Sequence, residues 1–403
     1  MKRFLIFILL LSGLVLANNA ASNITCQQRW PWNGKVDIRY TLTAESSENT
    51  PVFSVKFFGQ DPSGTRFEFS TLSGDGASGI ILGAGEQLTT WDAVADLGDA
   101  IDTDGYQIGI YAEDVTYQAT HLKLDLDTYQ MTPSVAGPSV APGASSKYAE
   151  LWFRRIEPGT FVMGSATSEP GRTAAREGAH TVTLTKAYYI GIFELTEGQF
   201  NKILGGTSTS ALPVSNISYY DLRGSNYGNT WPTETDHRVD SDSLIGILRA
   251  KTGDQMLFDL PTEAQWEAAA RWKGTTGNGT SDYYGSSVWN NGVTFNSSYY
   301  GLGVVAWCRE NSGYEKHEVG LKAPSAIGTY DMHGNVMERC LDRYTENITS
   351  YVLDPVGALT GNNCIFRGGS YGGAPEGCRM AARRFSTFTN ADVTIGCRLV
   401  IIP

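Results

Sequence analysis

The chain has 403 residues, enough for two domains, and 41% hydrophobic with 11% aromatic residues puts apolar cores within reach. The formal charge of −11 excludes a nucleic-acid binder of the electrostatic kind, because an acidic chain gains nothing from releasing phosphate counterions. The 45 glycines, among abundant Asn, Ser and Tyr, favour strands and loops over long helices.

The first residues, MKRFLIFILLLSGLVLA, set Lys2 and Arg3 before an apolar run that closes on Val15-Leu16-Ala17. This pattern predicts a secretory signal (residues 1–17) cut after Ala17, and a mature chain that is secreted or periplasmic. Nowhere else is an apolar run long enough to span a bilayer. No cysteine directly follows Ala17, so no lipoprotein is expected. Six cysteines in an exported chain are candidates for disulfides.

Residues 24–130 read as β. In KVDIRYTLTA, Val36, Ile38, Tyr40 and Leu42 share one face, and VFSVKFFG and YQIGIYAEDVTY follow across turn-rich stretches. Short alternating strands broken by Gly, Ser and Asp predict an immunoglobulin-like sandwich. MTPSVAGPSVAPGASSK (131–147), nearly uncharged and rich in Pro, Gly, Ser and Ala, predicts a linker. A second domain is expected over 148–403, with short strands and a few short helices threaded through Gly/Asn loops. LTEGQFNKIL places Gln199 three residues after Thr196, and LPTEAQWEAAARW places Gln265 three after Thr262, both capping-box spacings. In the second, Trp266, Ala269 and Ala270 share a face; in DSLIGILRAKTG, Leu244, Ile247 and Leu248 keep helical spacing and the helix stops near Gly253.

Several motifs bear on chemistry. GGSYG around Ser370 matches the nucleophile elbow of α/β-hydrolases, but GGAPEG after it does not start a helix, so Ser370 reads as a buried hydrogen-bonding residue. GDGASG (74–79) lacks the following helix a dinucleotide site needs. His121, His180, His237, His317 and His333 show no zinc-site spacing. YDMHGNVMER is a better metal loop: Asp331 and Glu338 bracket a tight Gly334-Asn335 turn, and carboxylates with turn carbonyls are the hard oxygen donors that Ca²⁺ takes. The aromatic-rich loop SDYYGSSVWNNGVTFNSSYYG (281–301) suits flat contact with sugar or peptide.

Taken in order, EPGTFVMGS (157–165), HTVTLTKAYYIGIFELTEGQF (180–200), LPVSNISYYD, LPTEAQWEAAAR, VGLKAPSAIGTYDMHGNVMERCLDRY, FRGGSY and IGCRLV resemble the formylglycine-generating enzymes, or sulfatase-modifying factors. The resemblance implies a C-type-lectin-like mixed α/β domain with little regular secondary structure. It implies an oxidase that converts a sulfatase cysteine to formylglycine with molecular oxygen, through copper held by two thiolates, the soft ligands Cu(I) prefers. The first of those cysteines follows Arg-Gly-Gly-Ser-Tyr by two residues, and here that position is Gly373. The second is Cys378 in a gap-free alignment; with a three-residue shift, Cys378 is instead the Cys of a Cys-Arg-x-Ala motif found in many non-enzymatic bacterial members. The active-site Ser is retained as Ser370. Met337 and Arg339 stand in place of two Trp, and Thr394 in place of an Asn.

The resemblance also implies a calcium site at Asp331, Gly334, Val336 and Glu338, the middle two through backbone oxygen. A second calcium site of the family falls on Val305 here and is not expected. It suggests disulfides Cys340–Cys378 and Cys364–Cys397, and leaves Cys26 and Cys308 unassigned. Two functions follow: an exported module that binds a protein, peptide or glycan through a lectin-like surface, with no oxidase activity, or a copper-dependent oxidase acting on a sulfatase.

Overall fold

A computed structural model describes residues 7–8, 20–29, 33–44, 51–98, 106–116, 119–226, 231–232, 237–254, 256–271, 302–346 and 352–402. The aromatic-rich loop 281–301 and most of the signal segment lie outside the described residues.

The N-terminal region is built from two sheets, antiparallel except where Phe7–Ile8 pairs in parallel with Gln107–Asp114. One orders Ala21–Gln28, Lys35–Leu42, Gly85–Asp92 and Leu72–Gly74. The other centres on Val52–Gln60, flanked by Gln107–Asp114, Arg66–Glu68 and Ile80–Leu82. The predicted alternation holds: Val36, Ile38, Tyr40 and Leu42 point inward and share one apolar core with Phe53, Val55, Phe57, Trp91, Ile108 and Ile110. Phe69 stacks on Trp91 with ring centroids 4.1 Å apart.

The segment expected as a linker is not free. Met131–Ser134 pairs with His121–Asp125, and both join a six-stranded sheet through Glu150–Ile156. That sheet continues through Tyr188–Gly191, Val400–Ile402 and Leu257–Asp259. The last strands of the predicted sandwich and the start of the linker are therefore part of the second unit. Further on, Lys147 is buried and pairs with Glu318 at 2.8 Å, and Glu318 also accepts the Gly143 N–H at 2.7 Å. Pro, Gly and Ser composition reports the lack of helix or strand propensity. It does not report whether backbone groups find partners elsewhere.

The second unit is rich in short strands, with few helices. Both predicted capping boxes form. Thr196 and Gln199 exchange bonds at 2.9 and 3.2 Å at the start of Glu197–Ile203. Thr262 and Gln265 do so at 2.9 and 3.1 Å before Glu263–Arg271. Leu244–Lys251 ends at Gly253, whose φ of 76° suits glycine. A four-stranded sheet, in the order Arg384–Thr387, Asn363–Arg367, Met337–Arg343 and Ile395–Cys397, carries the segments that hold the site residues.

Candidate functional site

The motifs converge on a frame of buried ion pairs. Glu338 accepts from Arg398 at 2.6 and 2.9 Å, and both side chains are fully buried. Arg383 holds Glu263 at 2.6 and 2.8 Å, and Arg367 reaches Glu267. Burial would raise the Glu263 carboxyl, but Arg383 and Arg367 overcome this and hold it below its ordinary range. Arg379, the Arg after Cys378, grips Glu177 at 2.8 and 2.9 Å and Glu169 at 2.8 Å. Removing one partner of such a pair strands a charge in the interior, so each pair fixes the segment that carries it.

Two glycines then set the Ser370–Cys378 loop. Gly334 has φ 78° and runs so close to Trp307 that a Cβ would lie 2.0 Å from its carbonyl oxygen. Gly369 has φ 77°, and a Cβ there would meet Cys378 Cα at 2.8 Å. The chain can therefore turn at 368–369 and bring Cys378 back under Ser370. Tyr371 N–H bonds to Asn335 O at 2.7 Å, Arg309 N–H to Gly373 O at 3.0 Å, and Ser312 Oγ to Tyr371 O at 2.8 Å. These bonds zip the loop to the 307–312 and 334–335 segments.

Ser370 is buried, in keeping with the sequence reading. A Cβ at Gly373 would lie 3.4 Å from Ser370 Oγ, so a side chain at 373 would face the serine directly. Cys378 is fully buried, and its carbonyl accepts a bond from His333 Nδ1 at 2.7 Å, which fixes the proton on that nitrogen. Burial pushes the His333 pKa down, so the ring is a neutral donor. The remaining histidines also bond locally, His317 Nε2 to Ser312 O at 2.9 Å and His237 Nδ1 to Asp259 at 2.8 Å among them.

The neighbour of Cys378 differs from the expected one. Its side chain lies with that of Cys308 in a small apolar cluster with Leu302, Val305 and Ala306. Cys340 belongs to a different cluster, with Trp266, Met332 and Ile365. Cys364 and Cys397 sit on strands that flank Met337–Arg343 from opposite sides. Two inter-strand spacings of about 4.8 Å separate them, beyond the roughly 7 Å a disulfide spans. Neither expected bridge is present, and all six cysteines are free thiols. Arg339, on the strand between those of Cys364 and Cys397, donates its guanidinium to Cys364 Sγ at 3.4 Å and to the Ile217 and Asn390 carbonyls, and lies over the Phe366 ring.

At the predicted calcium turn, the four residues come together but do not act alike. Asp331 is buried with φ 57°; its Oδ2 accepts the Gly320 N–H at 2.7 Å, and its Oδ1 is buried without a hydrogen-bond partner. Burial raises its pKa to about 6. An orphaned buried carboxylate oxygen fits a hard cation. Glu338 does not fit, because Arg398 and Trp266 Nε1, the latter at 2.7 Å, occupy its oxygens. Gly334 N–H bonds to Gly368 O at 2.7 Å and Val336 N–H to Glu194 at 2.9 Å. Glu194, fully buried, also accepts from Asn335 Nδ2 at 2.7 Å; burial, then Asp331 and Glu338, push its pKa well up. The sequence reading missed Glu194, whose one signal is an acid inside the apolar run IGIFELT. Among the described residues, no three His, Cys, Asp or Glu side chains form a metal-holding group.

A mixed, strand-rich domain held by these motifs defines a class. Residues 150–402 match the family described as the sulfatase-modifying factor enzyme 1-like domain, and the chain belongs to that family. Among curated proteins, it is 25% identical over 303 residues to the formylglycine-generating enzyme of Streptomyces coelicolor, covering 66% of this chain and 95% of that one. It is 29% identical over 183 residues to chaperone protein LppX of Paenibacillus barcinonensis, covering 40% of this chain and 63% of that protein's length. Among solved structures, Treponema denticola variable protein 1 aligns over 68% of this chain and all of its own, with 23% identity and a TM-score of 0.48. PvdO from Pseudomonas aeruginosa aligns over 66% and 98%, with 19% identity and a TM-score of 0.46.

Proposed function

We propose that the chain is an exported, non-catalytic member of this family, a module that binds a protein, peptide or glycan ligand. The observation that carries this reading is Gly373. It occupies the position of the first copper thiolate, 3.4 Å from Ser370 Oγ when given a Cβ, and supplies no sulfur. A linear Cu(I) site needs two soft ligands, and these residues do not fit one beside Ser370. Arg339 supports the same reading, because its guanidinium is committed to backbone carbonyls and Cys364 where the enzymes carry a Trp. The N-terminal sheets act as an immunoglobulin-like spacer or second binding surface. Among the described residues no helix is long and apolar enough to cross a membrane.

Calcium has a structural role in this proposal, with Asp331 as its side-chain ligand and the Gly334 and Val336 carbonyls beside it. Glu338 belongs to Arg398 and not to the ion. The functional test is direct. Purified protein is incubated with Cu(I), oxygen and a Cys-x-Pro-x-Arg peptide, and the peptide mass is followed. No formylglycine is expected; aldehyde formation at enzyme-like rates overturns the proposal.

A further inference from the structure

The cysteine that the sequence left unassigned is the one the fold brings to Cys378. Cys308 follows the short helix Leu302–Val305 and the strand Ala306–Trp307, which pairs with His333–Gly334. Its N–H bonds to Asn311 Oδ1 at 2.9 Å, and its carbonyl caps the turn through the Asn311 and Ser312 N–H groups. The Arg309–Gly373 bond at 3.0 Å and the Ser312–Tyr371 bond at 2.8 Å tie this turn to the loop carrying Cys378. Both thiols are fully buried.

We propose that Cys308 and Cys378 are a disulfide-forming pair, oxidised during folding in an exported chain, whose bridge locks the 306–312 turn to the Ser370–Cys378 loop. The interaction with Cys378 holds the Cys308 thiol below its ordinary pKa, and the same interaction, then burial, raises Cys378.

The oxidant is a disulfide, either a small-molecule dithiol couple or a thiol–disulfide oxidoreductase. The thiolate of one of the two cysteines attacks one acceptor sulfur; the acceptor S–S bond breaks, and one acceptor thiolate leaves. The other cysteine then loses its proton and attacks the first cysteine's sulfur, and the second acceptor thiolate leaves. Two protons and two electrons pass to the acceptor, and one S–S bond replaces another. Exchange occurs before the turn docks; once docked, burial shields the bridge from reductants. The bridge does not depend on the binding function proposed above, and it removes both sulfurs from soft-metal ligation.

The test uses the full chain, folded in a glutathione redox buffer and digested without reduction. A cross-linked peptide joining Cys308 to Cys378 is expected, with four of six thiols open to maleimide under denaturing conditions and all six after reduction. Reduction is expected to lower Tm by about 5–10 °C. Cys308→Ala, Cys378→Ala and the double variant should show the same loss, because any of the three abolishes one bridge. Six maleimide-reactive thiols without reduction, or a cross-link from Cys378 to Cys340, overturns the proposal even if every variant misfolds, since both readouts come from the unsubstituted protein.

Discussion

The ion-pair frame and the loop it supports are held together by different interactions. In the frame, Glu338 keeps Arg398, Glu263 keeps Arg383 and Arg379 keeps Glu177, each pair buried with short bonds. In the loop, Gly373 has no side chain beside Ser370, and Cys378 clusters with Cys308. The lesson is physical. A buried charge cannot lose its partner without a cost of several kcal/mol, so the residues that make a family recognisable are those its fold cannot release. A loop residue that pairs with no buried charge carries no such load. Motif matches in this chain report the scaffold, and chemistry must be read from the loop itself.

The largest expected effect separates the two regions most sharply. Glu338→Ala leaves Arg398 fully buried without its carboxylate, and should destabilise the protein by about 3–5 kcal/mol in denaturant unfolding. A loss below about 1 kcal/mol would mean that the frame is not what holds the fold.

A comparable effect runs the other way. Asp342 is buried beside Glu263, and burial, then that charge, raise its pKa to about 8. Below about pH 4 its carboxyl is protonated in both the folded and the unfolded state, so it has no effect on stability. Between about pH 4 and 8 the unfolded state ionises and the folded state does not, so stability falls as pH rises. Above about pH 8 both states are ionised and the deficit is constant. Asp342→Asn keeps the acceptor for the Glu263 N–H, which bonds Oδ2 at 2.7 Å, and removes the titration. It should raise stability by about 2–5 kcal/mol at pH 8 and hardly at all at pH 4. Equal shifts at both pH values would contradict the assignment.

Calcium comes next. Millimolar Ca²⁺ is expected to raise Tm by a few degrees through mass action, and Asp331→Asn should erase that increment. Asp331 is the better probe than Glu338, because changing Glu338 also breaks the Arg398 pair. An unchanged calcium response in Asp331→Asn removes the site. The smallest effect belongs to the loop: Gly373→Cys, with contacts no closer than 3.3 Å, should change stability by less than about 1 kcal/mol. A frame-sized loss there would erase the contrast between the regions.

How much was legible in the sequence follows the range of the interactions. Capping boxes at Thr196 and Thr262 are local, and both form as the spacing predicts. The alternation of Val36, Ile38, Tyr40 and Leu42 is local too, and it finds the core. Alternation does not say which sheet a strand joins, and His121–Asp125 and Met131–Ser134 pair into the sheet of Glu150–Ile156. Cysteine partners are set by long-range packing: Cys308 meets Cys378 only because Gly334 and Gly369 let distant segments approach. Glu194 was hidden for the same reason, since its partners Asn335 and Val336 lie far along the chain.

The central claim, that the frame survives while the copper chemistry is gone, is tested most directly by Cu(I) titration of the mature, oxidised protein against a competing chelator. The account predicts no stoichiometric high-affinity copper. One equivalent held tightly, and released by Cys378→Ala, would contradict it.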